Sequence, residues 1–262
     1  MKTIMLAVGI SDYANPQIDD LTVCHDDARR MVEAWQAAAG GEFASKLIVN
    51  AEATKQGIEA GVRWLAETAG PGDLALFYYS GHGASFDDDS GDEKDNKDEF
   101  LCPHDCGLEQ GYGSFIRDDE LKQWLAAVGA KTDRVVLIFD ACHSGTANAA
   151  PVEATAKELP TDLVAGLLAG AAPPPAPPVD PSLVANQILL AGCEDYQQSF
   201  ILNGHDHSLF TAALLAALED SSVTTIQGLF RAAAAAAQEQ ADMANINQSP
   251  KLSDGAPGEV AF

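Results

Sequence analysis

One short segment, residues 134–145, constrains the fold of this chain more than any other. Its first part, 135–139, is an unbroken apolar run, and a run of this length bounded by polar residues predicts a strand buried on both faces. An acid, a thiol and an imidazole follow at Asp140, Cys142 and His143, and these groups do not belong in a hydrophobic core. Open α/β sheets form their sites at the carboxyl ends of the strands, so the segment predicts a strand that delivers reactive groups to a site.

A second apolar run, residues 74–79, ends in a similar way and leads through small residues to one imidazole at His82. We interpret Cys142 and His82 as a pair that meets across neighbouring strand ends, because a thiol is a weak nucleophile until a base takes its proton. The alternative is a buried structural cysteine beside a histidine whose hydrogen bonds are satisfied. That alternative is favoured for either residue alone, but the repeated arrangement favours the catalytic pair.

Strands and helices alternate along the rest of the chain. Apolar runs predict strands, and apolar residues at spacings of three and four predict the helices between them. Strands separated by helix-length segments are typical of a largely parallel sheet with helices on both faces. The predicted strands are 3–8, 46–49, 74–79, 135–139 and 187–191, and the predicted helices are 22–39, 54–69, 117–128, 208–218 and 224–241.

Composition narrows the class of protein. With 262 residues, of which 47% are hydrophobic, the chain can bury a full core. The net charge of −24 makes nucleic acid and anionic membranes poor partners. The apolar start is too short for a signal peptide, and no stretch is long enough to span a membrane. The five cysteines are therefore expected to be reduced thiols in a cytoplasmic protein.

Residues 87–99 interrupt the alternation with eight carboxylates and two lysines. A cluster of this kind is usually a solvated or disordered loop. Carboxylate oxygens are also the ligands that calcium prefers, although the spacing does not match an EF-hand loop. Both interpretations stay open at this point.

A second interruption is rich in proline and has its centre at residues 171–178. Such a density of proline predicts an extended, exposed linker. We therefore divide the chain into a larger part, 1–150, which carries both reactive strands, a linker, 151–182, and a smaller part, 183–262. The smaller part is expected to complete the same sheet, so that the chain forms a single domain.

Residues two apart on an extended chain point to the same side, which places Asp140 with Cys142 and Ser80 with His82. A cleft at these strand ends would therefore hold a carboxylate and a hydroxyl beside the reactive pair. A buried carboxylate suits a guanidinium or ammonium group of a substrate, although Asp140 could instead brace its own loop. The backbone N–H of Gly83 could stabilise an oxyanion in acyl transfer.

The segments around these residues resemble the two catalytic signatures of the metacaspases, the caspase-like cysteine peptidases of bacteria, plants, fungi and protozoa. The signatures are Tyr-Ser-Gly-His-Gly at 79–83 and Asp-Ala-Cys-His-Ser-Gly at 140–145. The second departs from the Gln-Ala-Cys context of true caspases. Further similar segments extend over nearly the whole chain, at residues 24–28, 98–105, 116–120, 188–195, 208–215 and 248–252.

The resemblance implies a caspase-type three-layer α/β sandwich that hydrolyses peptide bonds after Arg or Lys. It implies that Cys142 is the nucleophile, that His82 is the general acid and base, and that backbone N–H groups of Gly83 and Cys142 bind the oxyanion. The residues implied for the specificity pocket are Cys24, Asp27, Ser80 and Asp140. The implied partners are peptides or proteins with Arg or Lys before the scissile bond, and the implied state is a monomer.

Many metacaspases also bind calcium, through acids that match Asp98, Asp118 and Asp119. The fourth ligand of that family corresponds to Ala149, whose side chain has no oxygen. We therefore expect no required cofactor and treat calcium as an optional ligand.

Lys157 follows the nucleophile within the linker and is a candidate self-cleavage site by analogy with processing in metacaspases. The alternative is an ordinary exposed lysine. If cleavage releases a blocked cleft, the uncut chain is a latent zymogen.

Two other classes of function compete with the peptidase. A zinc protein could use Cys102, His104 and Cys106, or His205 and His207, although the first spacing is tighter than that of common zinc sites. A non-catalytic interaction module of the same fold is the second alternative. The presence of both reactive residues disfavours it.

Overall fold

The computed structural model describes residues 1–87, 97–108, 111–142, 154–169 and 179–262. In chain order, the strands are β1 (Lys2–Gly9), β2 (Glu42–Val49), β3 (Leu74–Ser80), β4 (Gly83–Asp87), β5 (Lys97–Leu101), β6 (Ile116–Arg117), β7 (Val135–Asp140), β8 (Ala154–Ala156), β9 (Ile188–Ala191), β10 (Phe200–Leu202) and β11 (Lys251–Asp254). The helices are α1 (Cys24–Ala38), α2 (Lys55–Thr68), α3 (Asp118–Gly129), α4 (Thr161–Leu168), α5 (Leu209–Glu219) and α6 (Ile226–Met243).

Six of the described strands form the central sheet, in the order β11-β9-β7-β3-β1-β2. All neighbouring pairs in it are parallel except β11 with β9, so the predicted, largely parallel sheet is confirmed. The register sets Ser80 opposite Asp140 at the carboxyl ends of β3 and β7. The polar residues that follow these two strands therefore lie at one edge of the sheet.

Helices cover both faces of this sheet. On one face, α2 and α3 share a hydrophobic core with sheet residues such as Leu6 and Phe77. On the other face, α1, α5 and α6 share a core with intervening residues such as Met5 and Tyr78. Every residue of β3 is buried, because both of its faces are covered. The arrangement is the three-layer α/β sandwich expected from the resemblance. Within the described ranges, none of the helices is long and apolar enough to cross a membrane.

Two smaller sheets lie outside the central one and were not predicted. Strands β4, β5 and β6 form an antiparallel sheet, so both ends of the acidic segment are strands. The middle of that segment, residues 88–96, lies outside the described residues. Strands β8 and β10 form an antiparallel pair. The charge of 87–99 conceals the strand pattern, because Asp and Lys are depleted in strands.

The segment expected to be a linker, residues 151–182, is not extended throughout. Strand β8 and helix α4 lie within it, and α4 buries Val164, Leu167 and Leu168 in the core. These three residues recur at helical spacing, which is typical of a helix. The prediction of an extended linker was based on the proline content of 171–178 instead. Residues 171–178 themselves lie outside the described residues, and the domain boundaries stay a prediction.

Candidate active site

His82 follows β3 and is only 4% exposed. Its Nε2 atom is 2.8 Å from the backbone carbonyl oxygen of Asp19, and because a carbonyl only accepts, Nε2 carries the ring proton. Nδ1 therefore presents a lone pair, which has no hydrogen-bond partner among the described residues. Burial lowers the pKa of His82 to about 4, against the opposing effect of the Asp19 carbonyl. The ring is thus an uncharged, oriented base near neutral pH.

Two buried tyrosines fix the backbone that carries this ring. Tyr13 Oη accepts the backbone N–H of His82 at 2.7 Å. Tyr79 Oη lies 2.8 Å from the His82 carbonyl oxygen and 2.9 Å from that of Cys102, and it can donate to either. Burial raises the pKa of both phenols well above the usual range, so they stay protonated. The position of the base is therefore set by groups outside the reactive pair.

Cys142 lies two residues beyond the end of β7 and is fully buried. Its Sγ atom accepts the backbone N–H of Ser199 at 2.7 Å and lies 3.2 Å from the Ser199 carbonyl oxygen. Burial, followed by the neighbouring Cys193 thiol, raises the pKa of Cys142 well above its usual range. In this arrangement the sulfur is a protonated thiol, so it needs a base before it can act as a nucleophile.

A segment of the chain itself, residues 154–159, lies across these strand ends. Strand β8 pairs with β10, and the backbone N–H of Lys157 continues the pairing by donating to the Ser199 carbonyl at 3.0 Å. Beyond Lys157, the N–H of Leu159 donates to the Gly83 carbonyl at 3.0 Å. Main-chain hydrogen bonds therefore hold the segment as an extended peptide on both sides of Lys157.

The carbonyl oxygen of Lys157 accepts two backbone hydrogen bonds. One comes from the N–H of Gly83 at 3.0 Å and the other from the N–H of Cys142 at 3.3 Å. These are the two donors that the sequence analysis named for the oxyanion. The structure thus brings them together on a single peptide carbonyl group.

The Lys157 side chain is fully buried, so the alternative of an ordinary exposed lysine is wrong. Its Nζ atom is 3.0 Å from Asp140 Oδ1, 3.8 Å from Asp27 Oδ2 and 2.9 Å from Ser80 Oγ. Cys24, the fourth residue expected in the pocket, is also fully buried, and burial raises its pKa to about 12. The expected pocket residues thus lie around one basic side chain, which the prediction of an exposed linker did not anticipate.

Hydroxyl groups from the second half of the chain hold the Asp140 carboxylate in place. Ser199 Oγ donates to it at 2.6 Å, and Thr211 donates from its backbone N–H at 3.2 Å and from Oγ1 at 2.6 Å. The Ser208 hydroxyl lies between the two pocket carboxylates. Burial by itself would raise the pKa of Asp140, but the Lys157 ammonium and these hydroxyls lower it. The carboxylate is therefore charged despite its burial.

The sequence analysis missed these supporting groups for two reasons. Ser208 and Thr211 lie at the start of an otherwise apolar helix. Small hydroxyl groups on the buried side of such a helix indicate a buried polar partner, and the sequence analysis did not consider them. The Asp19 carbonyl is a backbone group, which any residue could supply, so it has no sequence signal. His207 was considered only as a zinc ligand, whereas its Nδ1 is 2.9 Å from Asp27 Oδ1, and this hydrogen bond raises its pKa.

A family model described as a caspase domain matches residues 2–257. The chain belongs to the caspase-domain family. Metacaspase-1 of Schizosaccharomyces pombe is 33% identical over 153 residues, which cover 56% of this chain and 35% of that protein. Metacaspase-1 of Botryotinia fuckeliana is 40% identical over 153 residues, with the same coverage of 56% and 35%. This caspase domain thus spans about a third of the length of these two curated relatives.

A solved structure shares the fold of this caspase domain along nearly its whole length. The crystal structure of protein GSU0716 from Geobacter sulfurreducens superposes with a TM-score of 0.68 at 24% sequence identity. The match covers 97% of this chain and 93% of that one. At this identity the likeness supports the fold and says nothing further about function.

Two of the calcium ligands implied by the resemblance, Asp118 and Asp119, lie at the start of α3 in this caspase domain. Lys122 places its Nζ 2.6 Å from Asp118 Oδ2 and 3.4 Å from Asp119 Oδ1, so an ammonium group engages both carboxylates. The side chain of Asp98 and residue 149 lie outside the described residues. Among those that are described, no group of three or more His, Cys, Asp or Glu could hold a metal ion. Asp118 and Asp119 are thus paired with an ammonium group in this structure.

Four of the residues considered as zinc ligands have other contacts in the structure. Cys102 and Cys106 are buried next to each other, and burial followed by the Cys106 thiol raises the pKa of Cys102. His104 directs its Nδ1 to the carbonyl of Asp12, and His207 directs its own to Asp27. The described geometry therefore gives a zinc site no support.

Proposed function

We propose that this protein is a cysteine endopeptidase that hydrolyses peptide bonds after Arg or Lys. The observation that carries the proposal is the position of Lys157. Its carbonyl oxygen lies on two backbone N–H donors while its ammonium group lies on the buried carboxylate of Asp140. A peptide substrate would need both contacts at the residue before its scissile bond. The caspase domain across residues 2–257 supports the same class of reaction.

In the proposed first step, His82 Nδ1 takes the thiol proton and Cys142 Sγ attacks the substrate carbonyl carbon. A C–S bond forms, and the carbonyl electrons move to the oxygen, where the N–H groups of Gly83 and Cys142 stabilise the developing charge. The Asp19 carbonyl keeps the imidazole oriented, because it accepts the Nε2–H hydrogen bond in both the neutral and the protonated ring. When the tetrahedral intermediate collapses, the C–N bond breaks and His82 gives its proton to the leaving amine.

The second step releases the acyl group from the sulfur. Neutral His82 takes a proton from a water molecule, and the resulting hydroxide attacks the thioester carbonyl on the same two N–H donors. The C–S bond breaks, a carboxylic acid leaves, and the proton on the imidazole returns to the thiolate of Cys142. Neither step passes through a metal ion, and we propose that none is required.

The buried carboxylates account for the proposed preference for basic residues. Asp140 is charged and fully buried, and Asp27 lies close enough to share the same ammonium group. A neutral or acidic residue in this pocket would leave both carboxylates without a cation, which is strongly unfavourable in a buried site. An Arg or Lys side chain would form an ion pair and hydrogen bonds with the carboxylates, which compensate for the hydration that they lose on burial.

Fluorogenic peptides that differ only in the residue before the leaving group test the proposal. Arg, Lys, Gln and Asp peptides would be compared with the parent protein, Cys142→Ala and His82→Ala, each with calcium and with a chelator. We expect turnover of the Arg and Lys peptides by the parent only, at the same rate in both conditions. Cleavage of the Asp peptide would contradict the roles assigned to Asp27 and Asp140. If the processed parent protein cleaves none of the peptides, a non-catalytic binding module is favoured.

We also propose that the bond between Lys157 and Glu158 is the first one cleaved. The segment that carries it occupies the cleft, because the Lys157 carbonyl oxygen already accepts the N–H groups of Gly83 and Cys142. The uncut chain is therefore a latent form. Cleavage would allow the segment to leave and water to reach the sulfur. Other substrates can enter only after this step.

Mass analysis of the purified chain over time tests this processing step. We expect the parent to yield a fragment that begins at Glu158, and Lys157→Arg to yield the same fragment. Lys157→Gln and Cys142→Ala should stay uncut under the same conditions. A parent chain that cleaves external Arg peptides while residue 157 stays intact would show that the segment leaves the cleft without being cut.

A further inference from the structure

Cys142 has a second thiol beside it, which the proposed mechanism does not use. Parallel strands β7 and β9 pair with Phe139 opposite Ala191, so Cys142 and Cys193 lie three and two residues beyond paired positions. The backbone of the two segments stays together past the strands, because the N–H of Gly192 donates to the Phe139 carbonyl at 2.8 Å. Cys193 therefore emerges next to the nucleophile at the same edge of the sheet.

The contacts of Cys193 place its sulfur close to that of Cys142. Its Sγ atom is 3.7 Å from the carbonyl oxygen of Ala141, the residue before the nucleophile. The Cys193 thiol is also one of the groups that raise the pKa of Cys142, after burial. Neighbouring strands about 4.8 Å apart with a rise of about 3.3 Å per residue put residues offset by one position about 6 Å apart at Cα. That separation lies within the range that a disulfide spans.

Cys193 is also the member of the pair that a small solute can reach. It is 6% exposed and lines a cavity of about 320 Å³, whereas Cys142 is fully buried. Ala141 and Phe139 line the same cavity, so it extends along the end of β7 directly behind the nucleophile. A peroxide molecule that enters from this side meets Cys193 without displacing the segment that covers the cleft.

We propose that Cys142 and Cys193 form a reversible disulfide when the protein meets a peroxide. The Cys193 sulfur attacks one peroxide oxygen, the O–O bond breaks, and the hydroxide that leaves takes the thiol proton to become water. The Cys142 sulfur then attacks the resulting sulfenic sulfur. The S–S bond forms, the S–O bond breaks, and a second water leaves with the Cys142 proton. Two thiols are oxidised, and one peroxide is reduced to two waters.

The disulfide removes the nucleophile from the peptidase, and this consequence, unlike the bond itself, rests on the proposed function. Without a neighbouring thiol, a sulfenic acid on Cys193 is open to further oxidation to sulfinic and sulfonic acids, of which the sulfonic form is irreversible. Cys142 thus resolves the sulfenic acid on Cys193, and oxidation of this pair stays reversible. A thiol reductant restores both sulfurs by exchange.

Peptide mapping after peroxide treatment tests the bond directly. The reduced full-length protein would be treated with hydrogen peroxide, alkylated and digested without reductant. We expect a loss of two hydrogens and a cross-linked peptide pair that contains Cys142 and Cys193. Cys106→Ala is the matched control, because it removes the other pair of adjacent buried thiols, Cys102 with Cys106, and should leave the cross-link unchanged.

Activity recovery provides the second measurement. Peroxide-treated parent and Cys106→Ala should lose activity on an Arg peptide and regain it with dithiothreitol, whereas Cys193→Ala, which lacks the thiol that peroxide meets first, should keep its activity through the same treatment. A Cys193→Ala protein that loses activity as readily as the parent, or a parent whose Cys142 is cross-linked to a different cysteine, overturns the proposal. The mapping needs no peptidase activity, so an inactive protein that forms the cross-link would remove only the proposed function.

Discussion

Lys157 and Asp140 form an ion pair with an Nζ–Oδ1 distance of 3.0 Å, although neither side chain is exposed. Asp27 lies 3.8 Å from the same ammonium group and is equally buried. Two buried carboxylates beside one cation make a pocket that is poorly satisfied when it is empty or holds a neutral side chain. In this structure the chain itself supplies the cation that lies beside them, the ammonium group of Lys157.

Replacing Lys157 should destabilise the uncut chain. In a Cys142→Ala background, which prevents processing, we expect Lys157→Met to lower the free energy of unfolding by roughly 3 kcal/mol, because two buried carboxylates lose their cation. Lys157→Arg should keep most of the stability. Denaturant unfolding followed by circular dichroism measures the difference. The control is Lys251→Met, which breaks a partly exposed pair with Asp195 and should change stability by less than about 1 kcal/mol.

The two pocket carboxylates should contribute unequally to the recognition of basic substrates. Asp140 lies closer to the ammonium group than Asp27 and also accepts hydrogen bonds from Ser199 and Thr211. We expect Asp140→Asn to lower kcat/KM for an Arg peptide by roughly 100-fold or more, and Asp27→Asn to lower it by less. Steady-state kinetics measure both.

A matched substitution outside the pocket makes this result interpretable. Asp118→Asn removes a carboxylate that pairs with Lys122 on α3, so its kcat/KM should equal that of the parent. An Asp27→Asn loss greater than that of Asp140→Asn would contradict the assigned order of the two carboxylates. Equal losses in all three variants would point to a general effect of charge.

The sequence was sufficient to predict the scaffold and the reactive edge. The apolar runs before His82 and Cys142 are β3 and β7 in the structure, because a strand covered on both faces needs apolar residues throughout. The spacing of Ser80 and Asp140 predicted a shared position, and the register sets them opposite each other. These features could be predicted because the pattern of side chains along a strand depends only on residues that are close in sequence.

The contents of the cleft could not be predicted in the same way. A lysine within a segment rich in Ala and Pro is typical of an exposed position, yet Lys157 is fully buried on Asp140 and Asp27. Its burial depends on carboxylates that are distant in sequence and brought together only by the fold. The Asp19 carbonyl was unpredictable for a different reason, because a backbone acceptor leaves no trace in the choice of residue.

The buried histidine predicts how stability depends on pH. The pKa of His82 falls from 6.5 in the unfolded chain to about 4 in the folded one, so the unfolded state binds more protons between these values. Stability should therefore fall as the pH is lowered through this window, by up to roughly 3 kcal/mol from His82 alone. In the Cys142→Ala background, His82→Gln should remove that part of the loss.

Unfolding curves collected at several pH values between 4 and 7 test this sign. Carboxylates also titrate in the range, so the informative quantity is the difference between His82→Gln and its parent at each pH. His205→Gln is the control, because that histidine is exposed and should leave the profile unchanged. A parent that loses no more stability than His82→Gln on acidification would mean that the imidazole is hydrated and titrates normally.

Lys122 predicts how the protein responds to calcium. Its ammonium group lies on both Asp118 and Asp119, where the resemblance to metacaspases implies a metal ion. We expect the melting temperature and the peptidase rate of the parent to be the same with calcium and with a chelator. Lys122→Asn releases the two carboxylates at the start of α3, so calcium should raise the melting temperature of this variant, because a ligand that binds only the folded state stabilises it. Lys131→Asn, which removes a lysine just beyond the other end of the same helix, should behave like the parent. Calcium-dependent stabilisation of the parent itself would show that oxygen ligands outside these two aspartates complete a metal site despite the ammonium group.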